Sequence, residues 1–150
     1  MADIKSEIER SENMSAIKRS NTKPELFIRK LLFSSGYRYR LQNNNVPGHP
    51  DLWLGKHNTA IFVHGCFWHH HNGCKYAYIP KSKVEFWENK FSKNRLRDQK
   101  VADELKTKGV KCLVIWECTI NTAKRKNGDI SSLLFDIENF LISDRDYYEL

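Results

Sequence analysis

Residues 64–74 read His-Gly-Cys-Phe-Trp-His-His-His-Asn-Gly-Cys and hold four of the chain's six histidines and two of its four cysteines. Core packing does not call for so many soft and borderline metal ligands in so short a run, and a fold that gathers them around a cation accounts for them better than free cysteines and solvated histidines do. Phe67 and Trp68 sit between the ligands, where burial in a core and chelation would compete. Just upstream, Pro50-Asp51 opens an apolar run. A metal-tied loop beside a carboxylate is where chemistry is expected.

Structural zinc takes four Cys or His ligands in a tetrahedron. Cys66, Cys74 and one of His69, His70 or His71 supply three of them from a single loop. The remaining cysteines, Cys112 and Cys118, flank an apolar stretch expected to be one strand. At about 3.3 Å per residue they are about 20 Å apart, so one ion cannot take both sulfurs. Cys118, where the strand is expected to give way to a loop, is the better placed ligand, and Cys112 reads as a small core residue. The N-terminus Met-Ala-Asp-Ile-Lys-Ser-Glu lacks an apolar signal region. That puts the chain in the cytosol, where clustered Cys and His favour zinc over disulfides.

The 150 residues suffice for one domain with its own core, and no stretch approaches a membrane-spanning helix. Of the net charge of +7, most lies in residues 75–111, where eleven Lys/Arg face five Asp/Glu. A basic third of this kind suits a polyanion through attraction and counterion release. Charge alone fits a solvated helix face equally well, and the neighbouring ligand cluster tips the reading toward nucleic acid.

Residues 1–20 are polar and charged and read as a flexible N-terminal arm. Thr22-Lys-Pro-Glu25 is a capping box opening a helix with Phe27, Ile28, Leu31 and Leu32 on one side, ending near Gly36. Residues 37–42 alternate like a half-buried strand, and 43–50 form a turn-rich loop. Residues 51–54 and 59–64 read as two strands around a tight turn. Ser82-Lys-Val-Glu85 is a second capping box for a long basic helix running to Lys108, with Gly109 as its stop. Residues 110–116 form a strand, and Asp129 caps an amphipathic helix carrying Leu133, Leu134, Ile137, Phe140 and Leu141. This order describes an α/β domain, a mixed sheet flanked by helices.

Phosphodiester hydrolysis needs carboxylates that hold a divalent metal. Pro50 fixes an extended entry for Asp51, which could ligate Mg2+ directly. Val63-His64 closes the neighbouring strand, bringing a carbonyl and an imidazole toward the same point, and His69 could take a proton from the nucleophile. Taken singly, Pro-Asp is a common turn, Glu25 is explained by its capping box, and His64 could be a buried strand-end residue. Their convergence around one loop favours catalysis. Phe86 and Phe91 read as ordinary core.

Pro47-Gly-His-Pro-Asp51, Ile61-Phe-Val-His-Gly-Cys-Phe-Trp-His-His-His71, Glu85-Phe-Trp87, Lys93-Asn94 and Val114-Ile-Trp-Glu-Cys118 resemble the very short patch repair endonucleases. Arg10-Ser-Glu-Asn-Met-Ser-Ala-Ile17 and residues 22–25 are similar to that family's N-terminal region. The likeness runs from about residue 10 to 120. It implies a restriction-endonuclease-like fold and nicking of DNA beside a T·G mismatch left by 5-methylcytosine deamination. By the same resemblance Asp51 is the metal-binding carboxylate, the Val63 carbonyl a second Mg2+ contact, and His64 and His69 assist proton transfer and the leaving group. Glu25 organises water, and Cys66, His71, Cys74 and Cys118 hold structural Zn2+. Phe67, Trp68 and Trp87 form a wedge that enters the base stack, with Met14 on the minor-groove arm, and Lys90 and Asn94 lie near the mispair.

Two features depart from the family pattern: Asn72-Gly73 lengthens the zinc loop by one residue, and Val63 stands where threonine is common. Phe62 and His64 occupy the places of the Glu-x-Lys usual in nucleases of this fold, a replacement typical of the mismatch nickases. The implied partners are mismatched duplex DNA and mismatch-repair proteins, with the chain acting as a monomer at the bacterial nucleoid. A restriction-type nuclease cutting intact sites, or a zinc-stabilised DNA-binding module without hydrolysis, are the competing readings. The second leaves Asp51, His64, His69 and Glu25 without a purpose.

Overall fold

A computed structural model describes residues 22–125 and 127–150. Helix α1 (Lys23–Ser34) starts as the capping box requires, with the Thr22 hydroxyl accepting from the Glu25 N–H. Strand β1 is only Arg40–Leu41, shorter than the alternation of residues 37–42 suggests. Tyr37 and Tyr39 turn aside to pack against the core, and their hydroxyls donate to Glu138 and to the Arg29 carbonyl. Strands β2 (Leu52–Leu54) and β3 (Thr59–His64) flank a 3-10 turn (Gly55–His57) closed by Asn58 in the left-handed region.

The long helix α2 (Val84–Thr107) does not use the Ser82 box. Its cap is Lys83, itself left-handed, so Ser82 lies one residue too far out to reach the first turn's N–H groups. Strand β4 (Lys111–Trp116) leads straight into helix α3 (Glu117–Lys124), so Cys118 lies in a first helical turn rather than in the expected loop. Helix α4 (Ile130–Ile142) is capped by the Asp129 carboxylate, which accepts from the Ser132 N–H. Its last turn has no cation of its own, and Lys111 of β4 supplies one, donating to the carbonyls of Phe140, Leu141 and Ser143. A short strand β5 (Tyr147–Glu149), not foreseen from the sequence, completes the sheet.

The sheet runs β1-β2-β3-β4-β5, with the first two pairings antiparallel and the last two parallel. Period-2 alternation sends its residues to two different layers. Leu52, Leu54, Ile61, Val63, Leu113 and Ile115 meet Ile28, Leu32, Ile120, Leu133, Ile137 and Phe140 from α1, α3 and α4. Burying each such side chain contributes about 1.5–3 kcal/mol relative to exposure. Ala60, Phe62, Cys112, Val114 and Trp116 face the other way, where α2 supplies Leu105 and the ligand loop supplies Cys66. Gly48 lets residues 43–50 pass between sheet and helix: its φ is +82°, and a Cβ there would overlap Val101 and press on Phe62. The chain thus folds as a mixed α/β sheet flanked by helices, and no described helix is long and apolar enough to cross a membrane.

Candidate active site and metal centre

Asp51 enters β2 with both carboxylate oxygens engaged. Oδ2 accepts from the Val63 N–H at 2.7 Å and Oδ1 from the Gln42 amide at 3.2 Å. In a strand a residue's N–H and C=O point to the same side, so the Val63 carbonyl also faces the Asp51 edge of β3. The Glu25 side chain, 2% exposed and paired with Arg29 at 3.1 Å, hydrogen-bonds to Asp51. Burial raises the Asp51 carboxyl above its ordinary range, against the bonds from Val63, Gln42 and Glu25 and the field of His69. Two carboxyl groups in hydrogen-bond contact need a proton or a cation between them. Carboxylate oxygens plus a carbonyl form a hard donor set that fits Mg2+.

His64, at the end of β3, and His69, on the following loop, stack with ring centres 3.8 Å apart and planes 1° from parallel. His64 is buried, and that burial, followed by the charge of His69, holds its pKa down to about 3. It is therefore a neutral imidazole at physiological pH. His69 Nδ1 meets Asp98 Oδ2 at 2.7 Å, leaving Nε2 as the nitrogen able to exchange a proton with a ligand. Asp98, on α2, was not singled out in the sequence. The available signal is its i+4 spacing from Asn94, since Asn94 donates to the Trp68 carbonyl at 2.8 Å and the two residues grip consecutive positions of the loop.

Beyond the histidine pair, the four expected soft ligands converge. Cys66, His71, Cys74 and Cys118 place one ligand atom each within 4.8 Å of one another. His71 Nδ1 lies 3.7 Å from Cys66 Sγ and 3.5 Å from Cys118 Sγ. Ligands about 2.0–2.3 Å from a central ion would be separated by tetrahedral edges of about 3.5–3.8 Å, and the two His71 spacings match such edges. His71 is the histidine of the three that joins the cysteine cluster, whereas His69 faces Asp98 and His70 stacks on Phe91 at 4.4 Å. Cys112 is 3% exposed within the core, as expected of a residue outside the cluster. Burial and the neighbouring Cys118 and Cys74 thiols push the Cys66 thiol up to about 12. Trp116 joins the two centres, lying against His71 at 4.0 Å and presenting its edge to His64 at 5.2 Å, while its Nε1 donates to Glu149.

The aromatic residues do not stand free. Phe67 and Trp68 are half-buried, with Phe67 touching Trp68, Trp87, Phe91 and Tyr78 at centre distances of 5.1–5.4 Å. Trp87 joins Trp68 at 5.9 Å. Phe91 is buried as expected, but Phe86 is 56% exposed because it lies on the outward side of α2, touching only the edge of the cluster at Trp87. A cavity of about 1750 Å³ is lined by Glu25, Asp51, Val63, His64, Trp68, His69, Trp87, Lys90 and Asn94 among others. Lys90 is exposed on its rim, whereas Asn94 engages the Trp68 carbonyl. Met14 lies outside the described residues.

The sequence model of the family described as DNA mismatch endonuclease Vsr matches residues 2–75. Over 120 residues, 80% of this chain, the sequence is 44% identical to the type II nicking enzyme V.NmeAIP of Neisseria meningitidis serogroup A, covering 85% of that protein. It is 40% identical over 121 residues to the type II nicking enzyme V.XorIIP of Xanthomonas oryzae pv. oryzae, covering 81% of this chain and 88% of the relative. The DNA mismatch endonuclease Vsr of Escherichia coli K12 is 38% identical over 120 residues, covering 80% of this chain and 76% of that protein.

Proposed function

This chain belongs to the Vsr family of DNA mismatch endonucleases, and from that premise we propose that it nicks one strand of duplex DNA beside a T·G mispair in a Mg2+-dependent reaction. The mispair is the product of 5-methylcytosine deamination, and the setting is the bacterial nucleoid. The α/β domain is read as a restriction-endonuclease-like nuclease acting as a monomer. One observation carries this reading: the Asp51–Glu25 carboxyl pair and the His64–His69–Asp98 chain face a single cleft rimmed by aromatic rings.

Asp51 and the Val63 carbonyl would hold Mg2+, with Glu25 beside Asp51 to organise water, and Cys66, His71, Cys74 and Cys118 would hold Zn2+. A hard divalent cation at such a carboxylate site polarises the phosphodiester and lowers the pKa of water. His69, oriented through Nδ1 by Asp98, is the proton carrier, and its Nε2 exchanges with the attacking water or the leaving oxygen. His64, held neutral and parallel to it, keeps that ring in place and offers a hydrogen bond without competing for the proton. Phe67, Trp68 and Trp87 pry open the step that a mispair has already weakened, at about a few kcal/mol per step. Lys90 and Asn94 lie where the separated bases would arrive, Asn94 by exchanging the Trp68 carbonyl for a base edge.

Incubating the chain and Mg2+ with a duplex carrying one T·G pair is expected to give a nick on the thymine strand only, with the fully paired duplex left intact. Equal cleavage of both duplexes overturns the mismatch reading, and linear double-strand products from paired DNA support a restriction-type nuclease instead.

A further inference from the structure

Helix α2 divides its sides sharply. Trp87, Phe91, Asn94, Asp98 and Leu105 face the ligand loop and the sheet. On another side Phe86, Lys90, Lys93, Arg97 and Lys100 recur at spacings of four, three, four and three, which align them along one strip of helix surface. All five are exposed. Among the described residues none of the four cations joins an ion pair, although Asp103 and Glu104 follow within a turn and bound the strip at its far end. The strip begins at Phe86, against Trp87 of the ring cluster, and leads away from it. From Lys90 to Lys100 it covers about 15 Å at 1.5 Å per residue. That matches the axial span of about four phosphates on one DNA strand.

We infer that Lys93, Arg97 and Lys100 form a track for the DNA backbone flanking the opened step, separate from the residues that handle the mispair. This rests on the nicking reading above and names the surface that holds the neighbouring duplex. Charge complementarity with phosphates explains why three long cations lie in a row without an ion pair among the described residues. The track also connects to the site. The Arg97 guanidinium donates to Asn94 Oδ1 at 2.7 Å, and Asn94 holds the Trp68 carbonyl. Asp98, the next residue along, fixes His69. Residues 97 and 98 thus face outward to the backbone and inward to the proton carrier, so a grip on the duplex sets the register of the loop.

The test is the salt dependence of duplex binding for the parent chain, the double variant Lys93→Gln/Lys100→Gln, and Lys106→Gln as a control. Lys106 lies on the same helix but pairs with Asp146, off the strip. Each phosphate contact contributes about 0.9 to the slope of log affinity against log salt, so the double variant is expected to lose about 1.8. Raising salt from 50 to 200 mM then weakens it about twelvefold less than the parent. The loss should be the same for paired and T·G duplexes, because backbone contacts carry no base information. An unaltered slope, a loss confined to the T·G duplex, or an equal loss in Lys106→Gln overturns the track. Nicking followed in parallel on both duplexes reports on the mismatch reading independently, since it can fail while the slopes behave as expected, or the reverse.

Discussion

The two faces of the sheet are built from alternate residues of the same strands and solve opposite problems. On one face fourteen buried apolar side chains, counted among the described residues, close under three helices. On the other only eight do, and one long helix leaves a cleft with Asp51, His64 and His69 on its walls. Ile61 and Val63 of β3 belong to the filled layer, while Phe62 and His64, one position on, belong to the open one. If this is the face that admits DNA, as proposed, it cannot be sealed by burial alone. The structure points instead to a cross-link between Cys66, His71 and Cys74 on the loop and Cys118 at the start of α3 as its stiffener.

The contrast breaks first, and most visibly, on metal removal. If the cross-link replaces buried area, chelation should strip one zinc per chain and cost about 5 kcal/mol, lowering the melting temperature by about 10–20 °C. Amide exchange should then rise in residues 64–74 while β4 and α4 stay protected until global unfolding. Metal analysis and a melt on the same sample decide the matter. A metal-free chain that melts unchanged would show that the open face needs no ion.

Asp51→Asn sharpens the contrast in the opposite sense. Nicking should fall by about a thousandfold or more while duplex binding largely persists, because the carboxylate proposed to hold the metal is gone. Stability should rise. Burial raises the folded-state pKa of Asp51 above its ordinary 3.8, so the folded chain holds this proton more tightly than the unfolded one. The stability so gained is complete below the unfolded value and declines as pH rises through the folded one. At neutral pH the charged group is therefore a net cost, and Asn removes it, so the melting temperature should rise. Loss of activity together with loss of stability would place Asp51 among the structural residues.

How much of this was legible in the sequence follows the same division. The filled face announced itself through local signals: the Thr22 box, the Asp129 cap and the apolar stripe of α4 all lie within a few residues of what they specify. The clustering of Cys66, Cys74 and a loop histidine was legible because such residues have few other uses in one short loop, whereas His71 among the three came from the family resemblance and Cys118 from its place at the end of β4. Asp98 was not, since nothing in a basic helix distinguishes one carboxylate until the loop opposite is in place. The Ser82 box failed because a left-handed Lys83 began the helix one residue later, a backbone choice imposed by where α2 must lie. Helix α3 and strand β5 were missed because their short segments are specified by packing and by pairing with β4, not by their own periodicity. Phe86 was misassigned to the core for want of knowing which side of α2 meets the ring cluster.

The smallest effect concerns His64, a titratable group set into the layer that the cleft leaves partly open. Burial holds its folded pKa near 3, whereas in the unfolded chain it lies near the ordinary 6.5. Between those two values the unfolded state binds the extra proton, so stability is full above about pH 6.5 and drains away as pH falls, at most about 1.4 kcal/mol per pH unit. Carboxylates that titrate below pH 5 obscure the lower part of this limb, which leaves pH 6.5 to 5 as the informative window. His64→Phe keeps a ring that can meet the Trp116 edge and removes the proton site, so its melting temperature should decline less than the parent's across that window, the slope that remains coming from His70 and His71, which burial also holds below the ordinary value. A parent that shows no decline there would mean that His64 accepts its proton when folded. The stacked pair would then carry a charge beside His69, and the assignment of proton transfer to His69 and Asp98 alone would have to be shared with His64.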